Sequence, residues 1–262
     1  MVYAKTDDSS VYYEIYGDGK PLVLIPGIAC SIDFNWKEIL PDLTRNFQVI
    51  AFDSRGIGKT QYGNKSFQID EVANDIFFLL DHLGIDKVSL FGHSMGTAIA
   101  LSFAHKYPNR VENLILSNGF ARLNQRNRTT LEGAFLLLEE QVPVKKLLYL
   151  LMPWVFSEQF LSNPQNKNKV IELNATRNPT PEGVKHQIGA LLSLDSRPWL
   201  KEINSRTLVI SADDDLMFPF DEGRYLASQI ENATFVQIPG GHASHVEQPL
   251  LVVSLINDFI QN

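Results

Sequence analysis

Gly92-His-Ser-Met-Gly96 sets a serine between two glycines, each two residues away. This is the G-x-S-x-G pattern, in which a strand turns sharply into a helix and a hydroxyl is held at the apex. Glycine at both flanks removes the Cβ atoms that would collide in such a turn. A serine hydroxyl is a weak nucleophile near neutral pH, so it needs a base within hydrogen-bond reach, and that base needs a carboxylate to orient it. Both lie downstream, in Asp213-Asp-Asp215 and in His242, giving the chain order serine, acid, histidine. The chemistry such a set supports is attack on a carbonyl carbon and acyl transfer through the serine. Ser94 is then the nucleophile and His242 the base. The amide of Met95, at the start of the following helix, is the first expected oxyanion donor, and Ile28 in the loop Pro26-Gly-Ile-Ala-Cys-Ser31 is the candidate second.

The remaining histidines have plainer readings. His245 is expected as a first-turn helix residue, and His82 and His105 lie near helix ends. His93 flanks the nucleophile with its side chain turned away from it, whereas His186 belongs to a later helical segment. None has metal-ligand spacing with other histidines, cysteines or carboxylates, so no metal or other cofactor is expected. Cys30 has no activating partner nearby in sequence and reads as an inert thiol. Among the three aspartates, alternation at a strand end favours Asp213 or Asp215 over Asp214, and chemistry alone does not choose between those two.

These groups must be brought together by an alternation of strands and helices. Residues 2–6 and 11–16 read as an antiparallel hairpin about Asp7-Asp-Ser-Ser10, and Pro21–Ile25 as a strand covered on both faces. A helix is expected over 36–44, a strand over 48–53, a turn at Asp53-Ser-Arg-Gly-Ile-Gly58 and an amphipathic helix over 70–83 ending at Gly84. The strand 88–91 leads to Ser94, helix 97–107 follows, and 111–117 is the next strand. Such an order requires a mostly parallel sheet with right-handed crossovers, and the residues beyond its carboxyl ends converge on one rim. Between Phe120 and about Leu200 no strand-like run occurs, and helices are expected near 129–141, 144–155, 164–175 and 181–194. The sheet resumes with strands 207–212 and 234–238 and helices 220–230 and 246–260. The expected division is a core of 1–120 and 201–262 with a helical cap inserted at 121–200.

The chain has 262 residues, 44% of them hydrophobic, which is ample for one large α/β domain. A net charge of −7 disfavours nucleic acid or an acidic membrane surface as partner, leaving a small molecule. The cap segment carries 10 Lys and Arg against 7 Asp and Glu, a contrast with the acidic remainder that raises an anionic substrate as one option beside ordinary solvated helix faces. One cysteine and an N-terminus without an apolar core lead to an expected cytoplasmic location. The expected assembly is a monomer or a homodimer.

Taken together, these segments resemble the α/β-hydrolase superfamily over nearly the full length. The resemblance rests on Pro26-Gly27 in place of the usual His-Gly, Asp53–Gly58, Gly92–Gly96, Asp213–Pro219, and Gly241-His242 followed by Glu247-Gln-Pro249. It implies that the acid is the aspartate four positions before the proline, Asp215. Asp195-Ser-Arg-Pro-Trp-Leu200 resembles the cap exit of the enol-lactonase and small carboxylesterase branch. Ser94 stands where dehalogenases and epoxide hydrolases of this fold have an aspartate. His93 replaces the asparagine of the carbon–carbon bond hydrolases, and the Gly-Gly-Ser-Trp-Gly of prolyl aminopeptidases is missing. The resemblance implies a cofactor-free serine hydrolase of small carboxylic esters or lactones. A ligand-binding or single-turnover protein, and a lyase or perhydrolase with the same three groups, are the alternatives. Phe135, Leu138, Tyr149, Trp154, Phe156 and His186 are candidates to line the substrate pocket, with the pattern leaving open which face inward.

Overall fold

The computed structural model describes residues 2–176 and 179–262. Nine strands form one sheet: β1 (Tyr3–Lys5), β2 (Ser9–Tyr16), β3 (Lys20–Ile25), β4 (Phe47–Phe52), β5 (Gln61–Tyr62), β6 (Val88–His93), β7 (Val111–Ser117), β8 (Arg206–Ala212) and β9 (Ala233–Ile238). Eight of them, at the segments that read as strands in the sequence, follow one path, β1-β2-β4-β3-β6-β7-β8-β9. The two-residue β5, which pairs with Ser9 and Ser10 of β2, is an addition too short to carry a periodic signal. β2 runs antiparallel to β1 and β4, and every pair from β4 to β9 along the path is parallel.

The central strands alternate between two cores. Leu22 and Leu24 of β3 join Phe91, Ile115 and the helix Pro249–Gln261 on one face. Val23 and Ile25 join Leu90, Leu114 and the helices Ile69–Leu83 and Met95–Lys106 on the other. Two-sided burial explains why these strands read as unbroken apolar runs. The helix behind Ser94 is buried along ten consecutive residues, Met95 to Ala104, as its nearly all-apolar composition anticipates.

Prolines redraw two helices. The helix expected over 36–44 is instead two short ones, Ile32–Asn35 and Leu40–Leu43, because Pro41 has no amide to donate and fits only in a first turn. Likewise the last helix divides at Pro249 into Ser244–Glu247 and Pro249–Gln261. The expected turn at 7–10 shifts toward the N-terminus, since β2 already begins at Ser9.

Between β7 and β8 lie the helices Gln125–Glu139, Val144–Val155, Glu158–Leu161, Pro164–Thr176 and Pro181–Leu192. The short Glu158–Leu161 is one that periodicity does not predict. Side chains of this segment, among them Leu131, Leu138, Val184 and Ile188, belong to the same hydrophobic cluster as the sheet residues. It is therefore packed against the core and has no separate interior at those positions.

Candidate active site

Ser94 follows β6 with φ +56° and ψ −118°. This conformation is costly for a residue with a Cβ, on the order of 1–3 kcal/mol, and persists only where its surroundings enforce it. Here they do. A Cβ on Gly92 would lie 2.3 Å from the Gly96 carbonyl oxygen, and one on Gly96 would lie 2.0 Å from that of Ile25, so neither position admits a side chain. The Ser94 amide donates to the Ser117 carbonyl across the sheet at 3.0 Å, and its own carbonyl accepts from Thr97 at 2.9 Å.

Four rim loops supply the other groups. His242, four residues beyond β9, is buried and directs Nδ1 at Asp215 Oδ2, 2.9 Å away. With the proton on Nδ1, the lone pair of Nε2 is free to act as a base. All the acceptor capacity of Asp215 is used: Oδ1 accepts from the amides of Met217 and Phe218, and Oδ2 accepts from Asn118 Nδ2 as well as from His242. The neighbouring aspartates do other work. Asp213 accepts from the Gly240 amide and Asp214 from the Glu158 amide.

Ser94 and His242 line one cavity of about 120 Å³, together with Gly27 and Ile28. No hydrogen bond joins the Ser94 hydroxyl to a described residue. Such contacts are often long before substrate is bound. Ile28 faces the cavity, whereas Met95 does not line it and stands buried behind Ser94 as the first residue of the helix, where an amide has no intrahelical acceptor. Cys30 also lines the cavity. Of the six proposed lining residues only Phe156 does so. Leu138 is buried in the main core, Tyr149 is exposed, and His186 turns toward Tyr62 and Glu182.

His93 packs against the His242 ring, and His245 packs against His93. His93 Nε2 is 2.9 Å from the His242 carbonyl oxygen, to which it donates, and its ring centroid lies 4.3 Å from that of His245. Burial, reinforced by the neighbouring imidazoles, pushes the pKa of His93 well below the ordinary histidine value. That of His245 falls to about 3 for the same reason, although its bond to the Asn35 carbonyl acts in the opposite direction. Both are neutral at physiological pH, and neither is part of a cluster of three or more metal-ligating side chains among the described residues.

Two positioning residues, Asn118 and Gln187, escape the sequence reading, and a third residue, Glu247, enters it only as part of the resemblance. Asn118, with φ +51°, accepts at Oδ1 from Ser117 and Ser244, which turns its amide nitrogen onto Asp215. A Ser-Asn-Gly directly after a strand at the rim is the signal that marks it. Gln187, fully buried on helix Pro181–Leu192, accepts from the Ala29 amide at 2.8 Å and donates to the Arg55 carbonyl at 3.1 Å. It thereby fixes Ala29, at φ +56°, next to Ile28. One amide on an otherwise apolar helix face is its sequence mark. Glu247 accepts from the Ser157 amide and hydroxyl at 2.9 and 2.5 Å, and burial raises its pKa.

Sheet order, elbow and rim define a class: residues 20–249 match the family model of the alpha/beta hydrolase fold, and the chain belongs to that family. It is similar to pyrrolizixenacetamide deacetylase from Xenorhabdus hominickii, with 26% identity over 99% of this chain and 98% of that protein. RutD of Pantoea ananatis, which is named as a carbamate hydrolase, is 27% identical over 96% of this chain and 93% of its own. Among solved structures, a thermophilic esterase from Thermogutta terrifontis superposes with a TM-score of 0.83 at 27% identity, covering 99% of this chain and 97% of that one. Among the described residues no helix is long and apolar enough to cross a membrane.

Proposed function

We propose that the protein is a serine hydrolase of small carboxylic esters or lactones that works through an acyl-enzyme on Ser94. His242 Nε2 takes the hydroxyl proton as Ser94 Oγ attacks the carbonyl carbon. The resulting oxyanion is held by the amides of Ile28 and Met95, and the helix Met95–Lys106 directs its positive end toward it. The protonated His242 then gives its proton to the leaving alcohol, and water, deprotonated in turn by His242, attacks the acyl carbon and restores Ser94. Asp215 keeps the imidazole in the Nδ1–H tautomer and balances its charge when protonated. In this reading residues 121–200 act as a cap over a core formed by 1–120 and 201–262.

One observation carries the proposal. A serine in an enforced left-handed conformation and a histidine hydrogen-bonded to a fully satisfied carboxylate face the same apolar cavity. The family membership and the names of the relatives support carbonyl hydrolysis, and those names include amide and carbamate substrates, so a C–N bond is the second reading. Hydrolysis of p-nitrophenyl acetate by Ser94→Ala should fall by on the order of 10⁴-fold in kcat. Undiminished turnover by that variant overturns the assignment of Ser94. A burst of one equivalent of p-nitrophenol with no steady state favours the single-turnover alternative, and faster turnover of matched amides or carbamates favours the second reading.

A further inference from the structure

Much of the cavity lining beyond Ser94 and the histidines is hydrocarbon. Leu148, Leu151, Met152 and Val155 come from one helical stretch, Phe156 from its end and Val170 from the next long helix. Met217 and Val246 add to the same lining. Although residues 121–200 are net basic in sequence, none of their described lysines or arginines lines the cavity. Lys185 is turned away to Glu139 and Glu182, and Lys169 pairs with Glu38 at 2.7 Å. Lys37 and Glu38 are the charged lining residues other than the histidines, and both stand where the cavity reaches solvent: Lys37 is exposed and Glu38 half-buried. Deeper in, His93 and His245 are uncharged.

We infer that this site, if it works as the hydrolase proposed above, selects an uncharged hydrocarbon group of four or five carbons and rejects an anionic one. The size follows from volume. An apolar cavity of about 150 Å³ holds benzene, so the 120 Å³ found here is on the scale of one small alkyl chain. The charge preference follows from the walls. The lining carries no buried cation, and Asn35 Nδ2, an unpartnered buried donor on it, is a neutral amide. A carboxylate placed against Met152, Phe156 and Val170 therefore gives up its hydration and finds no opposite charge in exchange. The solvated Lys37 at the rim is screened and does not compensate. The basic character of the 121–200 segment therefore does not translate into an anion site.

Transfer of each methylene into such a wall is worth about fourfold in kcat/KM while room lasts. The experiment compares p-nitrophenyl acetate, butyrate and octanoate with the p-nitrophenyl monoester of succinic acid, whose acyl chain matches butyrate in length and carries a carboxylate. Butyrate should exceed acetate by on the order of tenfold, octanoate should fall below butyrate, and the succinyl ester should lie at least about 100-fold below butyrate. Met152→Ala should move the optimum to longer chains, and Val170→Phe should lower butyrate while sparing acetate. A succinyl ester handled as well as butyrate, a rise that continues through octanoate, or a chain-length profile unchanged in both variants overturns the inference. If no ester is turned over at all, the ester reading fails by itself. Thermal unfolding then decides the pocket, with stabilisation of the wild-type chain by butyramide but not by succinamate expected, and the reverse order refuting the inference.

Discussion

His245 offers a quantitative test of the interior next to His242. In the folded chain its pKa lies at about 3, because the ring is sealed between His93 and Trp36, while in the unfolded chain it returns to the ordinary value near 6.5. As pH falls below about 6.5 the unfolded chain takes up a proton that the native state refuses, so stability drops, and it continues to drop until the folded pKa is reached. The slope approaches about 1.4 kcal/mol per pH unit, and at about pH 5 the accumulated loss from this one ring is about 2 kcal/mol. That figure barely changes if the folded pKa is one unit higher, because the unfolded chain sets the first part of the curve. Glutamine can keep the donor that reaches the Asn35 carbonyl but cannot take up a proton. Urea unfolding, followed by tryptophan fluorescence, should therefore show His245→Gln losing about 2 kcal/mol less than the wild type between about pH 8 and about pH 5. In thermal scans the same difference should appear as roughly 4 to 8 °C in Tm shift. Equal losses in the two proteins would refute a neutral, sealed His245, whatever the absolute stabilities are.

Two further outcomes test the positioning residues. Asn118→Ala removes one of the two donors to Asp215 Oδ2 and strands the Ser244 hydroxyl, so kcat should fall about 10- to 100-fold with KM little changed; an unaltered kcat contradicts the role. Gln187→Leu keeps the side chain's bulk but leaves the Ala29 amide and the Arg55 carbonyl without partners. It should cost about 1–3 kcal/mol in stability and lower kcat more than it raises KM, and a variant that changes KM alone shows that Ile28 does not depend on this anchor.

The groups nominated by sequence are brought to one rim because each follows a strand of the same parallel sheet, and the strands themselves, though not their order, were legible in the unbroken apolar runs of β3, β6, β7 and β8. Local chemistry announces Ser94 and His242: two flanking glycines in one case, a Gly-Gly-His loop in the other. Alternation favoured Asp213 or Asp215 over Asp214, and the choice of Asp215 came only from the resemblance, because a loop abandons the alternation of the strand before it. Each of the three carboxylates finds a different partner in space, the Gly240 amide, the Glu158 amide and His242 respectively. Asn118 and Gln187 were missed for a related reason. Their partners lie 97 and 158 residues away in the chain, and no periodicity reports a contact of that kind. Pro41 is a different case, since a helix drawn through it over 36–44 overlooked a signal that was visible.

Gln187 has a consequence for anyone who wishes to exchange the helices between β7 and β8 for those of a relative in order to change selectivity. The brace on Ala29 travels with that segment, although the loop it steadies belongs to the sheet. A graft that imports a new hydrocarbon wall without an amide at this point would carry a hidden defect. It would accept its intended ligand and then process it slowly, and the fault would be traced in vain to the residues that touch the ligand.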